Sequence, residues 1–143
     1  MPVDSDDDLR GILETVSRIA VVGASGSPQK DAHEIPAYLQ EQGYTVIPVN
    51  PSRDEVLGRE AADDLRELDG DVEVVDVFRP AEEAPEIARA AVDIDADVLW
   101  LQLGVVSDEA ASIAEDAGMT VVMDECIGAT HRRLGIEGAP ASR

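Results

Sequence analysis

The sequence predicts a single α/β domain built on an open, doubly wound parallel sheet, and three observations carry that prediction. Five short apolar runs rich in β-branched residues recur along the chain: IAVVG from Ile19, TVIPV from Thr45, VEVVDVF from Val72, VLWLQL from Val98 and TVVM from Thr120. Their starts lie 26, 27, 26 and 22 residues apart, the spacing of strand–helix–strand units and not of hairpins. Most of the runs are continuous, as parallel strands buried on both faces are. Right-handed crossovers then wind the chain into five parallel strands with flanking helices. We expect the strand order 3-2-1-4-5 and one domain over residues 1–143, with its core at about 12–134 and a flexible tail at 135–143.

The elements follow in order. Ser5 can cap a helix ahead of the first strand, where Leu9, Ile12, Leu13 and Val16 form an i, i+3, i+4, i+7 stripe. Ile35, Ala37 and Leu39 mark a helix between the first two strands, and Gly43 ends it as a C′ glycine would. The segment PSRDEVLGREAADDLRELDG is irregular and reads as a loop with a short helix. Pro80 opens the next helix, with Ile87, Ala88, Ala91 and Val92 at helical spacing. Ser107 can cap DEAASIAEDAG, which Gly118 closes, and Asp108 and Glu109 suit its positive N-terminus.

Composition bounds the function. One cysteine, Cys126, excludes an intramolecular disulfide and points to a reducing compartment. No apolar run approaches the ~20 residues of a membrane span, and the N-terminus is acidic where a signal peptide is basic. The expected location is therefore cytoplasmic. Thirty-one acidic residues against eleven basic ones leave a formal charge of −20. One lysine against ten arginines in so acidic a chain is a halophilic type of composition, suited to salt that shortens the Debye length to ~3 Å at 1 M. No basic nucleic-acid-binding face is visible, and two histidines with one cysteine make a zinc site improbable.

Ligands in doubly wound sheets bind outside the carboxyl ends of the strands. The residues there are Gly23-Ala24-Ser25-Gly26, Asn50-Pro51-Ser52-Arg53, Phe78-Arg79-Pro80, Gln102-Leu103-Gly104-Val105 and Asp124-Glu125-Cys126-Ile127-Gly128. The glycines of the first loop let a backbone approach a phosphate closely. Lys30, Arg53, Arg79, Arg132 and Arg133 all follow soon after a strand, which places five of eleven cations on one expected rim. Either arginines simply prefer loops, or this is a local positive site for a polyanion. The first loop reads G-x-x-G and the second strand ends without an acid, which counts against NAD; Arg53 leaves NADP open, and no P-loop is present.

The motifs IAVVGAS, GYTVIPVNP, VDVFRP, LWLQLGV and VVMDEC, in this order, resemble the small stand-alone CoA-binding proteins. These are single-domain relatives of the CoA-binding domain in the alpha subunit of succinyl-CoA synthetase. The resemblance covers about 12–134. It implies a Rossmann-like fold that binds coenzyme A or an acyl-CoA across the carboxyl edge of the sheet. By similarity Gly23, Ala24, Ser25 and Gly26 approach the phosphates, with Lys30 supplying charge. Val49, Asn50, Pro51 and Arg53 match the loop at the nucleotide end. Phe78, Arg79 and Pro80 match a loop along the adenosine and pantetheine path, and Gly104 and Val105 a glycine loop. Cys126 falls near where the CoA thiol arrives. Two departures stand out: Lys30-Asp31-Ala32-His33 replaces the family's basic-Pro-Ser-Tyr, and Glu125 replaces an arginine. The synthetase's phosphohistidine belongs to its second domain, so the resemblance gives His131 no such role.

No catalytic constellation is evident. The leading expectation is a binding module, serving CoA or an acyl-CoA to a partner protein, with oligomeric state open. The alternatives are an NADP-binding oxidoreductase and a CoA-linked thiol redox protein using Cys126. Cys126 is either a half-buried strand-end residue or a thiol near the CoA sulfur, and His131 lowers its pKa if the two meet. Trp100 reads as core, Gln102 points to either side of it, and Asp76 is expected to bond locally or to a neighbouring loop. His33 is a weaker phosphate candidate, and Asp63-Asp64 reads as solvated or capping acids.

Overall fold

The computed structural model describes residues 2–27, 29–52, 54–68 and 72–136. The expected tail lies almost wholly outside these residues, as does Arg53. Ten main elements follow in order: α1 (Asp6–Thr15), β1 (Arg18–Val22), α2 (Asp31–Glu41), β2 (Thr45–Val49), β3 (Val74–Val77), α3 (Ala84–Asp93), β4 (Val98–Leu101), α4 (Asp108–Asp116), β5 (Thr120–Val122) and α5 (Ile127–Arg133). Between β2 and β3 the chain forms a two-stranded ribbon, Glu55–Val56 against Arg59–Glu60, and then a 3₁₀ turn, Leu65–Glu67. The ribbon stands where only a loop and short helix are expected.

All five main strands are parallel, in the order 2-1-3-4-5. This corrects the expected 3-2-1-4-5. Pro48 supplies the physical reason, since a proline cannot donate to a ladder and belongs on an edge strand. Its carbonyl accepts from Ala62 N at 3.0 Å, and Asn50 N donates to Ala62 O at 2.9 Å, both on the side away from β1. One bridging residue, Ala62, therefore covers that edge before the chain crosses over β1 and enters β3 on its far side. At the opposite edge Val3 N donates to Val121 O at 2.8 Å.

Alternate strand residues face alternate layers, as period-2 geometry requires. Ala20, Val75, Leu99 and Val121 pack under the alanine-rich α3 and α4. Ile19, Val21, Val74 and Trp100 pack under α1, α2 and α5 with Leu9, Leu13, Leu39 and Ile127. Burial on both faces is what makes the strands read as continuous apolar runs. The caps behave as expected: Ser5 Oγ accepts from Asp8 N and Ser107 Oγ from Ala110 N, each at 3.1 Å. The third helix begins later than expected, because residues 81–83 form a 3₁₀ turn and proline enters the helix proper at position 85.

Candidate functional site

The carboxyl ends of β1, β2 and β3 are laced together where strand order reverses. Gly23 N donates to Val49 O and Phe78 N to Val22 O, both at 2.9 Å. Gly23 has φ +92°, and a Cβ there would lie 2.9 Å from both Phe78 O and Arg79 Cδ. Only glycine fits, because the Arg79 stem crosses directly over it. Asn50 pins the next loop: its Nδ2 donates to Ala24 O at 2.7 Å, while its Oδ1 accepts from Ser52 N at 2.8 Å. Ser25 N donates to Ala32 O, folding the glycine loop against the first turn of α2. Lys30 is the N-cap of α2 and makes no side-chain cap bond, so that helix presents N–H groups toward the loop. His33 is half-buried in the same turn.

A cleft of about 430 Å³ opens at this point. It brings together Gly23, Val49, Asn50, Pro51 and Arg79 of the expected site. Ala24 is fully buried beneath the loop, and Ser25, Gly26 and Lys30 lie toward α2, outside the cleft. The opposite wall is one that sequence reading missed: Asp64, Leu65 and Arg66 after the ribbon, and Glu83, Glu86 and Ile87 at the start of α3. Asp64 does cap, accepting from Arg66 N at 2.8 Å, yet it also faces the cleft.

The wall's charges are paired. Arg79 Nε and Nη2 bind Glu83 Oε1 and Oε2 at 3.0 and 2.7 Å. Arg66 binds Asp93 at 2.8 Å and Glu86 at 2.9 Å. The Arg79 bond holds the Glu83 carboxyl below its usual range, and Arg66 does the same for Glu86.

Two of the five expected rim cations are elsewhere. Arg132 stacks on Tyr38, 4.7 Å from the ring centre, and Arg133 pairs with Asp6 at 2.9 Å. The reason is α5, a helix absent from the sequence reading, which carries both residues away from the strand end. His131 turns inward on the same helix. Its Nδ1 lies 2.7 Å from Tyr38 Oη, and burial, then Arg132, lowers its pKa. It serves the α2–α5 contact and not Cys126.

On the far side of the edge, Asp124 takes φ +60° and its Oδ1 accepts from Gly104 N at 2.7 Å, tying the loops after β4 and β5 together. Val105 is half-buried there, while Leu103 and Val106 are exposed. Two buried side chains hold the segment before α5: Trp100 Nε1 donates to Glu125 O at 2.8 Å and Gln102 Oε1 accepts from Ile127 N at 3.0 Å. Cys126 is half-buried and caps α5, its Sγ accepting from Ala129 N at 3.4 Å. Asp76 departs from expectation: it is fully buried in β3 between Val21 and Trp100, with neither carboxylate oxygen hydrogen-bonded among the described residues. Burial pushes its carboxyl well above the usual range. Among the described residues no group of three His, Cys, Asp or Glu could hold a metal ion, and no helix is long and apolar enough to cross a membrane.

The family model described as CoA binding domain matches residues 17–132. The chain is 42% identical over 127 residues to the uncharacterized protein YneT of Bacillus subtilis, covering 89% of this chain and 94% of that one. A solved hypothetical protein from Pyrococcus horikoshii OT3 is similar at a TM-score of 0.89 and 38% identity, covering 94% of this chain and 96% of that one. A shorter similarity, 40% identity over 63 residues, is to the alpha subunit of ADP-forming acetate–CoA ligase II of Pyrococcus furiosus; it covers 43% of this chain and 14% of that subunit.

Proposed function

The chain belongs to the CoA-binding domain family, and from that premise we propose that it binds coenzyme A or an acyl-CoA across the carboxyl edge of the sheet, as a binding module that performs no reaction itself. The observation that carries the reading is the cleft at the β1–β3 reversal of strand order, where the Gly23 loop, the Asn50 loop and Arg79 converge. Strand-order reversals are where doubly wound sheets take nucleotides. Gly23 lets the loop pass close under Phe78 and Arg79, where a Cβ would clash, and the N-terminus of α2 with Lys30 supplies donors and positive charge for the phosphates. Pro51 and the cleft beyond it suit the nucleotide end. Phe78 and Pro80 continue the path, and Gly104, Val105 and Cys126 stand at the far side for the thiol end. Arg53, outside the described residues, belongs to the same proposal as a second cation of the nucleotide loop.

A net charge of −20 repels such a ligand at low salt, so local cations and screening must prevail. Native mass spectrometry of the protein, incubated separately with CoA, acetyl-CoA and NADP, tests the reading. Retention of a CoA species, unchanged in mass after prolonged incubation, is expected. Retention of NADP alone would favour an oxidoreductase, and deacetylation of acetyl-CoA would show that the chain performs chemistry.

A further inference from the structure

Resting on the reading of this edge as a phosphate-binding site, we infer that Glu83 is a built-in competitor for the ligand: its carboxylate occupies the Arg79 guanidinium and must be displaced before a phosphate at the Gly23 loop can take that cation.

Arg79 is anchored at one end and exchangeable at the other. Its stem packs on Gly23, with Cδ 2.9 Å and Cγ 3.3 Å from where a Cβ would be. The stem is thereby placed over Gly23, and the guanidinium it carries is already spent on both oxygens of Glu83. Glu83 is itself held in place by the 3₁₀ turn, where its N–H donates to Pro80 O at 2.9 Å. Both residues line the cleft. Arg66, the other cation of that wall, has two carboxylate partners, Glu86 and Asp93. Among the described residues, Arg79 is therefore the cleft cation held by a single carboxylate.

The pair is also weak enough to yield. Its side chains are 46% and 47% exposed, and such pairs shift an equilibrium by at most about fivefold. A ligand carrying a diphosphate can supply two or more charges where Glu83 supplies one. A single weak anion has no such advantage, so the latch favours polyphosphorylated ligands over the carboxylates of the surrounding solution. Arg79 holds Glu83 ionised, so salt and ligand open the latch and mild acid does not.

The test is isothermal titration of CoA and of adenosine diphosphate into wild type, Glu83→Gln, Arg79→Gln, the double variant, and Glu82→Gln as a charge-matched neighbour. Glu83→Gln is expected to tighten binding about three- to fivefold at low salt, and Glu82→Gln less than about twofold. The gain should vanish in the Arg79→Gln background, with unfolding midpoints otherwise alike. Tightening with the diphosphate but no binding of CoA to any variant would overturn the CoA reading and leave the latch standing. The latch itself is overturned if Glu83→Gln binds both ligands as wild type does, matches Glu82→Gln, or keeps its gain without Arg79.

Discussion

Asp76 is the residue at which the fold departs furthest from ordinary economy. A carboxyl with no hydrogen-bond partner among the described residues sits in the middle of a central strand, where an apolar side chain would cost nothing. The folded protein keeps it protonated to higher pH than the unfolded chain, whose reference value is 3.8. Below about pH 3.8 both states hold the proton and stability is unaffected; as pH rises, the unfolded chain ionises first and stability is lost until the raised folded value is passed. Asp76→Asn removes that titration. Urea unfolding at fixed salt should find the variant's stability relative to wild type greater by over about 1 kcal/mol near about pH 8 than near about pH 4.5. An equal difference at both pH values would mean that ionisation is not the cause. The residue itself was easy to find in VEVVDVF, but its isolation was not. Whether a strand aspartate finds a partner depends on what the helices of its layer lay over it, and that layer, shared by α1, α2 and α5, is assembled only in the fold.

At the scale of elements, the loop after β1 is the most constrained turn in the site. Gly23→Ala must accommodate both a φ of +92° and a Cβ 2.9 Å from Phe78 O. Gly118→Ala meets the same kind of backbone, φ +89°, with open space around it. Gly118→Ala is expected to cost about 1 kcal/mol and leave CoA affinity unchanged, whereas Gly23→Ala should cost about 1–3 kcal/mol and weaken CoA binding by displacing the Arg79 stem. Thermal unfolding and CoA titration of the two variants separate strain from steric exclusion. The strands were legible because burial on both faces writes unbroken apolar runs. Their expected order, 3-2-1-4-5, is wrong, although Pro48 marks β2 as an edge. The helix α5 is hidden for a different reason: IGATHRR is seven residues long, contains Gly128, where a Cβ would lie 3.1 Å from Ile35 Cγ2, and owes its start to Gln102, 25 residues earlier in the chain. The cleft divides in the same way. The wall made of strand-end loops could be read from spacing, while the wall made of Asp64, Arg66, Glu83 and Ile87 comes from segments that only the crossover brings there.

At the scale of the molecule, charge dominates. The exposed arginines are mostly engaged, as in Arg89 bridging Glu86 and Glu109, and they offset only part of a charge of −20. Raising KCl from about 0.1 M to about 2 M shortens the screening length from ~10 Å to below ~3 Å, so both the unfolding midpoint and CoA affinity are expected to rise. A denaturation series that is flat or falling with salt would sink the reading of the composition as one suited to salt. The two sides of the sheet carry another consequence. Pro48 and the Ala62 bridge close one margin, and Val3 on Val121 closes the other. A twisted sheet left open at its margins is a template for adding strands from other copies. This one carries its own terminators on both sides, so crowding the chain to high concentration brings copies together without offering them a ladder to extend.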